Sequence, residues 1–373
     1  MALRFRQVRR PLSKATSFLV PILLALALAP PRAAASSGWE VVSSPAVPSG
    51  ELLAVGGSSP TDVWAVGSWF KPSTSSFLSL AMHWDGTKWR LAFTPSEGDW
   101  NQFRGVAVLS PTNAWAVGIG NNYSTLLEHW DGTSWTLVQN APFGAGTPLY
   151  GITALSATDV WVSGGGSTPF VAHWDGLVWR EVPTVDLGGA YSILYKIAAV
   201  SSNDVWAAGF VETRLGEQTL VEHWDGTKWT VVPSPHPNSD DYIRSLTAVS
   251  AKDVWLGGEW FGDAPQYTEH PLVEHWDGTT WSLVKSPPGT DPWDIVGLSA
   301  TDAWMVGDQG FYVTLLEHWD GSAWSIVQSP VGGPGDSELN GATKLTDGTL
   351  WAVGSWEPSG SGDQPLTMRL ASG

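Results

Sequence analysis

The sequence predicts an all-β fold: a seven-bladed β-propeller of four-stranded antiparallel blades, closed by pairing an N-terminal strand with the last blade. Three observations predict it. A repeat of about 48 residues carries two tryptophans at fixed places, Asp-Gly turns separate short apolar segments, and no long 3.6-residue amphipathic period appears beyond the N-terminal region.

The N-terminal segment comes first because it stands apart from the repeat. Arg4, Arg6, Arg9, Arg10 and Lys14 form a basic head, Ala15 to Ala29 is almost wholly apolar, and Ala33-Ala34-Ala35 offers an A-x-A cleavage site. Residues 1–35 are therefore expected to be a secretory signal peptide and residues 36–373 the propeller, with an extracellular or periplasmic location. Arg9-Arg10 allows a twin-arginine route as well as the general one, and an uncleaved membrane helix is the alternative. Of the 19 Lys and Arg, six precede residue 36, which leaves 13 basic residues against 36 acidic ones, a net charge near −23. Such a charge disfavours nucleic acid and anionic membranes as partners. With no cysteine, the chain has neither disulfides nor a thiolate metal site.

Each repeat runs from an apolar segment through S-x-T-D-V-W-A-V-G to L-V-E-H-W-D-G-T-x-W. The first set of tryptophans is Trp64, Trp115, Trp161, Trp206, Trp255, Trp304 and Trp351. The set after the Asp-Gly turn is Trp39, Trp89, Trp135, Trp179, Trp229, Trp281 and Trp324. Four strands per repeat follow from the β-branched and aromatic content between Gly, Pro, Ser and Asp. Asp-Gly between apolar segments is a hairpin signal. Trp39 lacks a preceding H-W-D-G, and the last repeat lacks a fourth strand, so the strand of Trp39 is expected to complete that blade beside Pro365–Leu370. Six blades with frayed ends is the alternative.

The order V-W-A-V-G, H-W-D-G-T and a following Trp over residues 38–373 resembles the kelch repeat family and the central propeller of galactose oxidase. Gly-Gly survives only at Gly164-Gly165 and Gly257-Gly258, and Trp-Asp-Gly stands where kelch repeats have Tyr-Asp. The resemblance implies architecture rather than activity. The oxidase chemistry of that likeness needs a cysteine–tyrosine cofactor, which this chain lacks.

The six repeated histidines, His83 to His318, recur in a way that a structural role explains. Non-repeated residues are the better functional candidates. From the V-W-A-V-G Trp to the H-W-D-G Trp (Leu370 in the last blade) the spacing varies from 13 to 21 residues, so one propeller face carries the variable loops. Five tryptophans fall outside the repeat, and all map to that face. Trp69, Trp260 and Trp356 lie two residues past the Gly expected to end a second strand, while Trp100 and Trp293 lie in connections between blades. With Arg214, Arg244, Tyr242 and Asp263 they are the candidate ligand-binding residues. Flat rings beside polar groups suit a glycan or another surface ligand, and packing of loops over the channel mouth is the alternative. The expected function is non-catalytic binding of a glycan or extracellular protein by a monomer, without cofactor or metal. A protein-interaction scaffold is one alternative. A sialidase-like hydrolase using Arg104, Arg214 and Arg244 with Tyr242 or Tyr267 is another.

Overall fold

The six Asp-Gly turns of the H-W-D-G motif are shaped by the same local chemistry. Gly86, Gly132, Gly176, Gly226, Gly278 and Gly321 all have φ between +89° and +97°, a region that Gly enters without a Cβ clash. The preceding Asp Oδ1 accepts the backbone amides two and three residues on, at 2.8–3.0 Å. The hydroxyls of Thr133, Thr227, Thr279 and Ser322, together with those amides, hold the carboxyls of Asp131, Asp225, Asp277 and Asp320 down at about 2. These turns join third to fourth strands throughout the computed structural model. It describes residues 38–371 except 96–97, 140, 142, 144–145, 238–239, 263–267, 311–312, 332–335 and 358–361. The expected signal peptide lies outside the described residues.

The strands form seven antiparallel four-stranded sheets. Blade 1 comprises Gly50–Ser59, Asp62–Lys71, Ser76–Trp84 and Trp89–Ala92. Blades 2 to 6 repeat that order, with first strands Gln102–Ser110, Leu149–Ser156, Ser192–Ser201, Asp241–Ser250 and Thr290–Ser299. Blade 7 takes Ser337–Lys344, Leu350–Trp356 and Gln364–Leu370 from the end of the chain and Trp39–Val41 from its beginning. Trp39 pairs with Leu370 and Val41 with Met368. The Thr367 hydroxyl donates to the Val42 carbonyl at 2.7 Å, and Arg369 Nε donates to Glu40 at 3.0 Å. The ring has seven blades and closes as the sequence predicts.

Tryptophan sets the spacing between blades. The V-W-A-V-G Trp of each blade meets the post-turn Trp of the next nearly edge-on, at 5.0–6.1 Å between ring centroids. In six interfaces the H-W-D-G Trp completes a triad. At the closure between blades 6 and 7, Leu370 takes that third place beside Trp304 and Trp39. Each H-W-D-G indole also donates to a carbonyl in the turn joining first and second strands, for example Trp84 to Pro60 at 3.1 Å. The neighbouring histidine reaches the second-strand Asp at 2.8–2.9 Å in five blades and Asn113 at 3.0 Å in blade 2. The repeated His and Asp thus tie strands together.

The V-W-A-V-G glycine does not end the second strand. In blade 1, for instance, the strand continues from Gly67 to Lys71. The glycine is required because each first strand bulges opposite it. The bulged residues are Leu53, Arg104, Tyr150, Tyr195, Arg244, Trp293 and Asn340. A bulge leaves one residue unpaired and turns the strand locally. A Cβ on any of the seven glycines would lie 1.9–2.1 Å from a carbonyl oxygen in the first strand or, for Gly164, of Pro148 just before it. Gly209→Ala, whose Cβ would meet the Ile193 carbonyl, should therefore cost at least about 3 kcal/mol. Urea unfolding measures this, and a loss under about 1 kcal/mol would refute the close approach.

One third-strand position, just before the repeated His, breaks the core rule. Blades 1 and 7 place Met82 and Met368 there; blades 2, 4, 5 and 6 place Glu128, Glu222, Glu274 and Glu317, all fully buried. Both carboxylate oxygens of Glu128 and of Glu274 are without a hydrogen-bond partner. Burial pushes these two up to about 8, and Glu222 and Glu317 to about 7.

Candidate functional site

The seven first strands surround an axial channel whose cavity holds about 320 Å³. The bulges lie towards its mouth on the face of the variable loops, and the residues they present follow no common rule. Conformity to the repeat ends at this ring. Around the mouth, the residues two before each bulge run Gln102, Pro148, Ile193 and Tyr242 on one side, and Asp291, Glu338 and Glu51 on the other. One half of the mouth is therefore uncharged and largely apolar, and the other is acidic.

The aromatic half is a continuous arc. Tyr150 and Tyr195 meet edge-on at 5.1 Å, and Tyr195 lies 5.8 Å from Phe210. Phe210 lies 6.0 Å from Tyr242, which meets Phe261 at 5.9 Å. Burial raises the Tyr150 phenol to about 12 and pushes Tyr195 and Tyr242 up as well, so all three keep a proton to donate.

The acidic half is densest over blades 5 and 6. Carboxylate oxygens of Glu259, Glu269 and Asp291 lie within 4.8 Å of one another. Arg244 Nε donates to Glu259 at 2.8 Å, and its guanidinium stacks over Trp293 at 4.3 Å. Burial works against charge on Glu259, but Arg244 together with hydrogen bonds from Glu269 and Asp291 holds this carboxyl low. The hydrogen bond to Glu259, then burial, pushes Glu269 up; burial and then the charge of Glu259 push Asp291 up. Asp308, paired opposite Asp291, is raised by burial. Like charges this close cannot all ionise together, so the cluster holds protons that a cation can displace. Three hard oxygen donors could also ligate a divalent metal ion, with Arg244 competing for Glu259.

Arg244, Trp293 and Tyr242 thus share one mouth, but the other candidate residues are spread around the ring. Trp69 is partly buried between blades 7 and 1. Trp100, 46% exposed, leans on Phe77 at 5.3 Å beside blade 1. Trp260 stacks on His270 at 4.1 Å. Trp356 is exposed at the tip of blade 7, and Arg214 is exposed in a hairpin of blade 4. Asp263 and Tyr267 lie outside the described residues. Trp293 belongs to a first strand rather than a connection, because these strands begin about three residues earlier than their apolar run suggests. Sequence reading passed over Tyr195, Phe210, Glu259, Glu269, Asp291 and Asp308 as strand residues. Aligning the seven repeats and asking where the bulge position changes type would have exposed the ring.

No family model matches this chain, and no curated protein matches it. Among solved structures, the chain is similar to YCF48 bound to D1 peptide, with a TM-score of 0.58 and 14% identity over 90% of this chain and 97% of that one. It is similar to YCF48 from Cyanidioschyzon merolae, with a TM-score of 0.55 and 14% identity over 89% and 98% of the two chains. It is also similar to the WD40 β-propeller domain of Doa1, with a TM-score of 0.59 and 11% identity over 88% and 97%. At these identities the likeness is one of fold.

Proposed function

We propose that this propeller is a binding module whose ligand is a polypeptide, docked at the channel mouth with a lysine or arginine side chain in the acidic cluster. The observation that carries this reading is the Glu259–Glu269–Asp291 cluster, unrepeated among the described residues of the other blades and adjoining the aromatic arc. A cationic head would meet the carboxylates while its apolar stem and neighbours lie on Tyr242, Phe210 and Tyr195. The chain's net charge of −17 favours encounter with a basic partner. YCF48, of similar fold, is a propeller with a bound peptide, which supports a protein partner. A kelch-like affiliation fits the motif order, and export by the leader at residues 1–35 would present the mouth outside the cytoplasm. A second reading, glycan binding through tryptophans outside the repeat, is favoured by the exposed Trp100–Phe77 pair.

A peptide display library selected on the protein tests this. The expected outcome is enrichment of Lys or Arg beside apolar residues, with affinity rising between pH 6 and 8 as the ligand displaces protons. Asp291→Asn should weaken binding about tenfold or more while leaving the melting temperature at pH 6 unchanged. Selection of acidic peptides, or of none, would sink the polypeptide reading; glycan-array binding abolished by Trp100→Ala would establish the second.

A further inference from the structure

Inside the channel, on the side away from the acidic half of the mouth, the charge reverses sign. Arg104, Lys196 and Lys344 all line its cavity, and Asp294 is the one acidic lining residue. This concentration of cations is notable in a chain with 36 acidic side chains and 19 basic ones. Asp294 is already committed on both oxygens: Lys196 Nζ lies 3.4 Å from Oδ1, and the Ala342 amide donates to Oδ2 at 3.0 Å. Lys196 retains two further N–H donors.

Arg104 is the least compensated of the three. It is the bulged residue of blade 2, so its side chain is not set by the ladder. Its Nε is buried without a hydrogen-bond partner, and it joins none of the ion pairs among the described residues. Glu51 is the acid whose field bears on it most. The Glu51 Oε1, however, accepts Gln102 Nε2 at 2.6 Å and Ser68 Oγ at 2.9 Å. The remaining neighbours whose charges reach Arg104 are Tyr150, Tyr195 and Arg244, and the last opposes it. A partly buried guanidinium held without an anion is costly.

Blades 2, 3 and 4 bring Arg104, Tyr150 and Lys196 to neighbouring levels of the cavity, the first two at the bulge and the third one residue past it. Their closeness depends on small residues between them. A Cβ on Gly151 would lie 3.0 Å from the Lys196 Cα and 2.9 Å from the Ile197 amide nitrogen. The three side chains offer a planar fork, a phenolic O–H and an ammonium.

We propose that the axial channel binds a small oxyanion, through a phosphate or carboxylate group, between Arg104, Tyr150 and Lys196. The site takes a free anion of cavity size and shares no charged residue with the acidic cluster above it. It therefore stands or falls separately from the polypeptide reading.

Isothermal titration of the protein with inorganic phosphate, and separately with citrate, against a sodium chloride blank of equal ionic strength tests the proposal. Saturable one-site binding of either anion is expected, and which one binds identifies the source of the group. Arg104→Gln should weaken it about tenfold or more. Lys285→Gln, an exposed lysine outside the channel, should leave it unchanged. If Arg104→Gln does not fold, Lys196→Met serves in its place, with a several-fold loss expected. Heats no different from the chloride blank would overturn the proposal, as would full affinity in Arg104→Gln and Lys196→Met.

Discussion

Replacing Trp39 by alanine should cost about 3–5 kcal/mol, the usual loss on truncating a buried tryptophan. This is a large share of the roughly 5–15 kcal/mol that holds a domain together. Trp39 is 5% exposed and meets Trp304 of blade 6 edge-on at 5.6 Å. It is the outer strand of blade 7, held by a three-residue ladder and without a covalent turn to its neighbour. The closure interface also has Leu370 where the other six have a third tryptophan, so it begins with less aromatic contact. The same substitution at Trp324, whose strand is tethered by its own Asp-Gly turn, should cost less. Urea unfolding compares the two, with hydrogen exchange of residues 364–370 as the local readout. Equal losses, or a Trp39 loss below about 1 kcal/mol, would show that closure does not limit stability.

Stability should also fall as pH rises from 5 to 8.5, the reverse of the usual carboxylate effect. Glu128, Glu222, Glu274 and Glu317 are raised in the fold to about 7 or 8, and the unfolded chain ionises them near 4.5. Between those values the folded state binds more protons, so this contribution is complete below pH 4.5. It is lost as pH climbs through 7 and 8. At about 1.4 kcal/mol for each pH unit of difference, a site raised to about 8 is worth at most about 5 kcal/mol, and one raised to about 7 somewhat over 3 kcal/mol. The turn aspartates act oppositely. Their lowered values favour the fold above pH 4 and lose that help below it. Maximum stability is therefore expected between pH 4 and 6. Glu274→Met, which installs the residue that Met82 and Met368 place at the same point, should raise the melting temperature at pH 8 and flatten the pH slope. An unchanged slope in this variant would falsify the assignment.

Repetition made the architecture legible and left the site obscure, for one physical reason. Asp-Gly turns, interface tryptophans and the close-approach glycine are dictated by local sterics that recur from blade to blade, so six or seven copies reinforce one another. The same periodicity located the missing hairpin at Trp39. The bulge ring obeys no such rule. Leu53, Arg104, Tyr150 and Trp293 occupy one structural position, and their equivalence depends on a register shift that residue patterns do not mark. Isolating tryptophans beyond the repeat found Trp293, and with Arg244 and Tyr242 it reached the mouth. Trp69 packs between blades 7 and 1 and Trp260 stacks on His270, away from the cluster at the mouth. The acidic partners escaped notice because Glu259 and Asp291 sit inside strands, where a pattern search expects core or solvent and not a shared proton.

The divided seventh blade also bears on the order of events during synthesis. Glu40 and Arg369, which pair across the closure, lie 329 residues apart in sequence. The strand of Trp39 is thus the first part of the propeller to be made and the last to find its partner. Blades 1 to 6 can each form from local hairpins as they emerge, while this strand waits as an unpaired edge. Its docking joins residues 329 apart in the chain, the kind of step that topology makes slow. Once made, the same joint must open before either end can peel away. A ring assembled late and unlocked only at its seam is held by the rate at which that seam parts.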